Sequence, residues 1–156
     1  MSFSSQVKNE LVKIEYEQLC CKKSLLYGMA LFAKSFSFRG FAFQSENQSI
    51  VLLFKKLIKE LCNINSRVNV SPAGKSFTIE LGRAESAKLI TYLGHSESET
   101  GLVINASNFI CQNCQYAFLA GAFLSCGTVS SPQKGYHLEY TIAYRNLSRS
   151  FVTFLQ

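Results

Sequence analysis

Along the first part of the chain the apolar positions recur at helical spacing. Val7, Leu11 and Ile14 follow Ser4 and Ser5, either of which can cap the helix they define. Phe3 stands where a hydrophobic staple would pack back onto that helix. A second helical run, from about Cys20 to Lys34, carries Leu25, Leu26, Gly28, Met29, Leu31 and Phe32. It is apolar over most of its circumference, which predicts a central buried helix and not a surface one.

The period then switches to two. Phe36 and Phe38 alternate with Ser35 and Ser37, Arg39-Gly40 supplies a two-residue turn, and Phe41 and Phe43 follow. In this hairpin Phe38 would face Phe41 and Phe36 would face Phe43, with all four rings on one side of the sheet. Ser35, Ser37, Ala42 and Gln44 would line the other, open side. A helix from about Asn47 to Cys62 follows, with Ile50, Leu53, Phe54, Leu57, Ile58 and Leu61 facing inward. A second hairpin would pair Val68–Ser71 with Ser76–Leu81 across Pro72-Ala73-Gly74-Lys75, and a short helix closes the unit from about Ala84 to Leu93. The order is α-β-β-α-β-β-α.

After a polar connector around Gly94–Thr100 the pattern starts again. Phe118-Leu119-Ala120-Gly121-Ala122-Phe123-Leu124-Ser125-Cys126 echoes Leu25 to Ala33, and Gly121 follows Gly28 by 93 residues. Strand-like Thr128–Ser131 and Tyr136–Ile142 come next, then a helical run from about Arg145 with Leu147, Phe151, Phe154 and Leu155. The expected organisation is a first repeat over 1–94, a linker over 95–104 and a second, incomplete repeat over 105–156. Gly28, Ala30 and Ala33 in one central helix, and Ala117, Gly121 and Ser125 in the other, leave little side chain between backbones. Helices of that kind can pack closely side by side.

Composition narrows the class of protein. Apolar residues make up 47% and charged residues 17% of 156, which fits a globular chain and not a disordered one. No apolar run approaches the roughly 20 residues of a spanning helix, and the N-terminus has no secretory h-region, so a cytoplasmic protein without membrane contact is expected. Lys and Arg number 16 against 10 acidic residues, all of them Glu, for a net charge of +6. Such a balance suits a polyanionic partner. Six cysteines without an export signal read as reduced thiols. His95 and His137 have no acid, Ser or Cys partner at a recognisable spacing, and neither an enzyme reaction nor a small-molecule substrate is indicated.

Two such repeats, each opening with a small-residue helix, resemble the LAGLIDADG homing-endonuclease fold. Several segments make the chain similar to the WhiA family of sporulation and cell-division regulators. These are Met1-Ser2-Phe3-Ser4-Ser5-Gln6-Val7-Lys8-Asn9-Glu10-Leu11, Cys20-Cys21-Lys22-Lys23, Gly121-Ala122-Phe123-Leu124 and Ser131-Pro132-Gln133-Lys134-Gly135-Tyr136-His137-Leu138-Glu139. The resemblance implies an α+β fold with paired central helices beneath a saddle of antiparallel strands. It also implies a C-terminal helix-turn-helix domain, absent from these residues, and a nucleoid-associated location. The sequence departs from the family pattern at Lys34, where a glycine would end the first motif, and at Cys111-Gln112-Asn113-Cys114, which replaces an adjacent cysteine pair.

A nuclease of this fold places one carboxylate at the end of each paired helix to hold divalent metal near a phosphate. Aligned on the glycines, those positions are Ala33 and Cys126, and no acidic residue occurs between Glu17 and Glu46 or between Glu99 and Glu139. No nuclease activity, and no cofactor, is expected. On the related fold the saddle lies against double-stranded DNA. That face would present Ser35, Ser37, Arg39 and Gln44 of the first hairpin, and Ser130, Lys134, His137, Glu139 and Thr141 of the later one, with Lys75 at a hairpin tip near phosphate. The alternative is a saddle that binds another regulatory protein or positions the helix-turn-helix domain. The thiols Cys20, Cys21, Cys111 and Cys114 precede the two central helices. They pack as small hydrophobes or, less expectedly, bind zinc.

Overall fold

The computed structural model describes residues 2–156. The first half holds α1 (Phe3–Val12), α2 (Leu19–Leu31), β1 (Phe41–Ser45), α3 (Gln48–Cys62), β2 (Val68–Val70), β3 (Phe77–Leu81) and α4 (Arg83–Tyr92). The second holds α5 (Gln112–Cys126), β4 (Gly127–Val129), β5 (Leu138–Tyr140) and α6 (Arg145–Leu155). The mixed α+β architecture with antiparallel sheets is the expected LAGLIDADG-like one.

Helices α2 and α5 lie side by side and run the same way. Their approach is limited by backbone and not by side chains. A Cβ on Gly28 would collide with the Phe118 carbonyl oxygen and stand 2.7 Å from the Ala122 nitrogen. A Cβ on Gly121 would collide with the Leu25 carbonyl oxygen and stand 2.9 Å from the Met29 nitrogen. Leu25 and Phe118, like Met29 and Ala122, are counterparts in the repeat, so the contact is symmetric about a pseudo-two-fold axis. One turn further on, the Ser125 hydroxyl donates to the Phe32 carbonyl at 2.9 Å. Nine residues of α2 are buried, which explains a helix apolar on nearly every side.

The first sheet has the order β1-β3-β2, all antiparallel. Phe41 and Phe43 point from β1 into the core and stack on Phe54 of α3, with ring centroids 5.5 and 4.4 Å apart. Asn47 caps α3 by accepting from the Ser49 amide, and Asn63 ends it in the left-handed region at φ 56°. The buried Ser86 hydroxyl accepts from the Phe41 amide and donates to the Leu81 carbonyl, which fastens α4 to the sheet. The β2–β3 turn closes as expected, with Gly74 at φ +72°.

The first hairpin departs from expectation. Its pairing reduces to one bridge, Ser35 with Ala42, two residues out of the expected register. Phe41 and Phe43 are core, whereas Phe36 and Phe38 are only half-buried. A six-residue excursion over 36–41 replaces the tight Arg39-Gly40 turn, because Ser35 Oγ binds the Gly40 carbonyl and holds a wider loop. In the second repeat Thr128 pairs with Glu139 in the matching place, across a loop four residues longer that carries a 3-10 turn at Pro132–Lys134. The cap of α1 is Ser2, whose hydroxyl accepts from the Ser5 amide, and not Ser4 or Ser5. Phe3 is therefore the first helical residue and no staple.

The connector between the repeats is partly core. His95 is buried, with Nε2 2.7 Å from the Tyr27 hydroxyl and Nδ1 2.9 Å from a Glu99 carboxylate oxygen. The Tyr27 hydroxyl also accepts from the Asn105 amide at 2.7 Å, which ties the connector to α2. The Ser150 hydroxyl of α6 accepts from the Ile104 amide, and α1 reaches across both halves, with Asn9 bound to Asn47 and Ser4 to the Val129 amide.

Replacing either glycine at the helix crossing tests whether this packing sets the fold. Gly28→Ala or Gly121→Ala should cost about 3 kcal/mol or more in urea unfolding, since the methyl meets rigid backbone. Gly40→Ala, with nothing within 4 Å of its added methyl, should change stability by less than about 0.5 kcal/mol.

Candidate functional site

Strand pairing decides which side chains stay open to solvent. In the first sheet Ala42 pairs with Glu80, while Gln44 and Asn69 both pair with Thr78. These five lie opposite the buried Phe41, Phe43 and Ile79, and Ser35 joins them through its bridge to Ala42. In the second sheet Thr128 pairs with Glu139. The backbone bonds from Thr141 N to Cys126 O and from Ser130 N to His137 O extend that row in both directions. Each repeat thus contributes a small, polar open face with one glutamate on it.

Where α2 and α5 end, the two faces meet an open groove of about 1040 Å³. Ala33 and Gln44 reach it from the first repeat, Cys126 and Thr141 from equivalent places in the second, and Lys8 and Lys34 add positive charge. Glu46 is the one carboxylate among its described lining residues. Lys8 projects from α1 with Nζ 5.5 Å from the centre of the Phe123 ring. Burial lowers its ammonium pKa below the ordinary lysine value, while Cys126 opposes that shift. Burial likewise pushes the Cys126 thiol up to about 12, so the residue at the end of α5 is a neutral thiol.

The other residues singled out from sequence scatter around this groove. Arg39 and Ser37 line a separate hollow together with Glu97 and Glu99 of the connector. Lys75 sits at the exposed β2–β3 tip, next to Ser76, which does line the groove. Lys134 and His137 are exposed on the second hairpin, and His137 Nε2 lies 3.0 Å from a Glu139 carboxylate oxygen. The groove lysines Lys8 and Lys34 were not among the sequence candidates. Lys8 shares a helical face with Ser4 and Leu11, a pattern that shows it turned toward the body only once the docking of α1 is known. Lys34 directly follows Ala33, just beyond the end of α2.

At the opposite end of the helix pair four thiols converge. Cys111 Sγ lies 3.7 Å from Cys20 Sγ, 3.5 Å from Cys21 Sγ and 3.6 Å from Cys114 Sγ, and all four sulfurs lie within 4.8 Å of one another. Among the described residues this is the one group of three or more His, Cys, Asp or Glu side chains within reach of a common metal ion. Cys20 and Cys21 occupy the first turn of α2, and Cys111 is the N-cap of α5. Burial pushes Cys114 up, but hydrogen bonds from Ser24 and the Cys111 and Ile110 backbone outweigh it and bring that thiol down to about 6. Burial, then its contacts with the neighbouring thiols, push Cys21 up to about 12.

The profile of the WhiA LAGLIDADG-like domain matches residues 115–156. The probable cell division protein WhiA of Alkaliphilus metalliredigens is 29% identical over 95% of the chain and 52% of its own length. Its namesake in Ruminiclostridium cellulolyticum is 32% identical over 89% of the chain and 48% of its own length. The chain thus spans about half the length of these curated relatives. The crystal structure of full-length WhiA from Thermatoga maritima superposes with a TM-score of 0.68 at 22% identity, over 93% of the chain and 46% of that protein. The crystal structure of a WhiA N-terminal LAGLIDADG domain gives 0.65 at 23% identity, over 90% of the chain and 66% of that domain.

Two thiols outside the cluster, the buried Cys62 and the half-buried Cys126, set a pH dependence. Burial raises Cys62 to about 11 and Cys126 to about 12, from 9.0 in a free thiol. Above pH 9 the unfolded chain therefore sheds protons that the folded chain keeps. Stability present below that pH is lost as pH rises toward the folded values. The urea midpoint should fall between about pH 8.5 and 10.5, and fall less in Cys126→Ala. Equal slopes in the two proteins would remove Cys126 from this account.

Proposed function

We propose that the chain is the LAGLIDADG-like part of a WhiA-family protein, and a non-cleaving, DNA-contacting module of a transcription regulator acting in cell division. The observation that carries this reading is the groove at the paired helix ends. Lys8 and Lys34 supply charge for phosphate, and the symmetry-related Gln44 and Thr141 supply hydrogen-bonding groups for base edges or sugar. Ala33 and Cys126 stand where a nuclease of this fold would hold its carboxylates. Mg²⁺ requires hard oxygen ligands in octahedral array, and a methyl and a neutral thiol offer none. The same exchange removes two anions that would repel phosphate once no metal lay between. Arg39, Lys75 and Lys134 are exposed on surrounding loops and would meet flanking phosphates.

A second reading has its own support. Glu80 and Glu139 lie on the two open faces, and Tyr136 and Leu138 of the second hairpin are 82% and 59% exposed. Acidic groups repel DNA, and exposed apolar side chains favour a protein surface. On this reading the module binds a regulatory protein or positions a helix-turn-helix domain belonging to the whole protein.

Fluorescence anisotropy with a labelled duplex, over about 50 to 200 mM salt, separates the two. The first reading expects binding that weakens steeply with salt. Lys8→Ala with Lys34→Ala should flatten the log–log salt slope by about 2, one unit for each lost phosphate contact. Arg39→Ala, Lys75→Ala and Lys134→Ala together should weaken binding further. No binding at the lowest salt would leave the second reading. Plasmid DNA incubated with the chain and Mg²⁺ or Mn²⁺ should remain intact; cleavage abolished by changing Cys126 would sink the non-cleaving assignment.

A further inference from the structure

We propose that Cys20, Cys21, Cys111 and Cys114 form a four-thiolate site for a single zinc ion, which ties the start of α2 to the start of α5. A zinc–sulfur bond of about 2.3 Å sets the sulfurs of a tetrahedral site about 3.8 Å apart. The three separations from Cys111 are 3.5, 3.6 and 3.7 Å, and no pair exceeds 4.8 Å. A disulfide needs about 2.0 Å, so the cluster is an array of free sulfurs and not a bonded pair.

Adjacent cysteines rarely both serve one ion, because consecutive helical side chains diverge. Here they do not diverge far enough to matter. Cys20 and Cys21 stand in the first turn of α2, and each sulfur lies within 3.7 Å of the same Cys111 sulfur. The Gln18 side-chain oxygen lies 3.7 and 3.9 Å from the two sulfurs. Turning that amide over would present its N–H groups to thiolates, a second layer of donors of the kind that holds ligands in place.

Location argues against thiols that pack only as small hydrophobes. Cys62, which does pack that way, lies alone in the core at the end of α3. The four clustered thiols stand at two helix N-termini, where unpaired amides and the positive ends of both dipoles converge. Neither helix has an oxygen side chain bonded as its cap; at α5 the Cys111 and Cys114 sulfurs bind each other's backbone amides instead. Sulfur anions are what such a place stabilises, and the four-thiolate zinc unit carries a net charge of about −2. The thiols give their protons to solvent as each sulfur donates a lone pair to the metal. Zinc suits the site because it is a borderline-soft, redox-inert ion that accepts tetrahedral sulfur.

The test is elemental analysis of the chain purified under reducing conditions without chelator, followed by titration of the metal-free chain with Co²⁺. About one zinc per chain is expected, together with the sulfur-to-cobalt charge-transfer and tetrahedral d–d bands of a four-sulfur site, erased by added zinc. Cys111→Ser should lose the bands and most of the zinc, whereas Cys62→Ala should keep both. Circular dichroism on each variant shows whether it folds, and the cobalt titration of the unmodified chain stands independently. A chelator should lower the melting temperature of the unmodified chain and leave that of Cys111→Ser unchanged. Reduced protein with neither zinc nor cobalt bands would overturn the proposal. So would iron with acid-labile sulfide, or a disulfide within the cluster in the freshly purified chain.

Discussion

The backbones of α2 and α5 touch at Gly28 and Gly121, and the rest of the molecule is arranged around that contact. Each glycine admits the carbonyl and amide of the facing helix into the space a side chain would fill. No other residue type allows this approach, since any Cβ would meet rigid peptide atoms and not a side chain that could turn aside. The reciprocal pattern, Leu25 and Met29 on one helix against Phe118 and Ala122 on the other, makes the contact a symmetry element. Aromatic side chains then fill the space around it, with Phe118 against Tyr27, Phe109 and Phe154.

Close pairing of two helices in the same direction has a consequence at each end. At the C-terminal ends the small residues Ala33 and Cys126 leave an open groove, and the strands that follow each helix carry equivalent polar groups into it. At the N-terminal ends the same closeness forces thiols from both repeats together. One end presents lysines and hydrogen-bonding side chains, the other sulfur under converging helix dipoles. Side chains at the groove can change without disturbing the packing, because the helix contact rests on glycines about a turn and a half away.

Much of this was legible in the chain. The 93-residue echo, the small residues on both central helices, the inward face of α3 and the β2–β3 hairpin all follow from periodicity and turn chemistry, and the structure has them. The first hairpin was misjudged because alternation of Phe and Ser gives two registers the same facing pattern, and strand periodicity alone cannot choose between them. The polar connector hid His95, since a buried histidine held by Tyr27 and Glu99 looks the same in sequence as a solvated one. Among the groove residues Gln44 was visible from strand alternation and Thr141 from the family resemblance. Lys8 was not, because its orientation depends on where α1 docks.

The repeat, the identity of the central helices, their small-residue faces and the absence of acidic residues from both helix ends can all be read along the chain. Those are properties of spacing and residue type, and local periodicity expresses them fully. Only the packed chain shows which lysines face the groove, that Arg39 lines a separate hollow with Glu97 and Glu99, and that four cysteines spread over more than 90 positions converge within 4.8 Å. These depend on distances between segments far apart in the chain. Such distances are set by how closely two backbones pack, and no local pattern of residues encodes them.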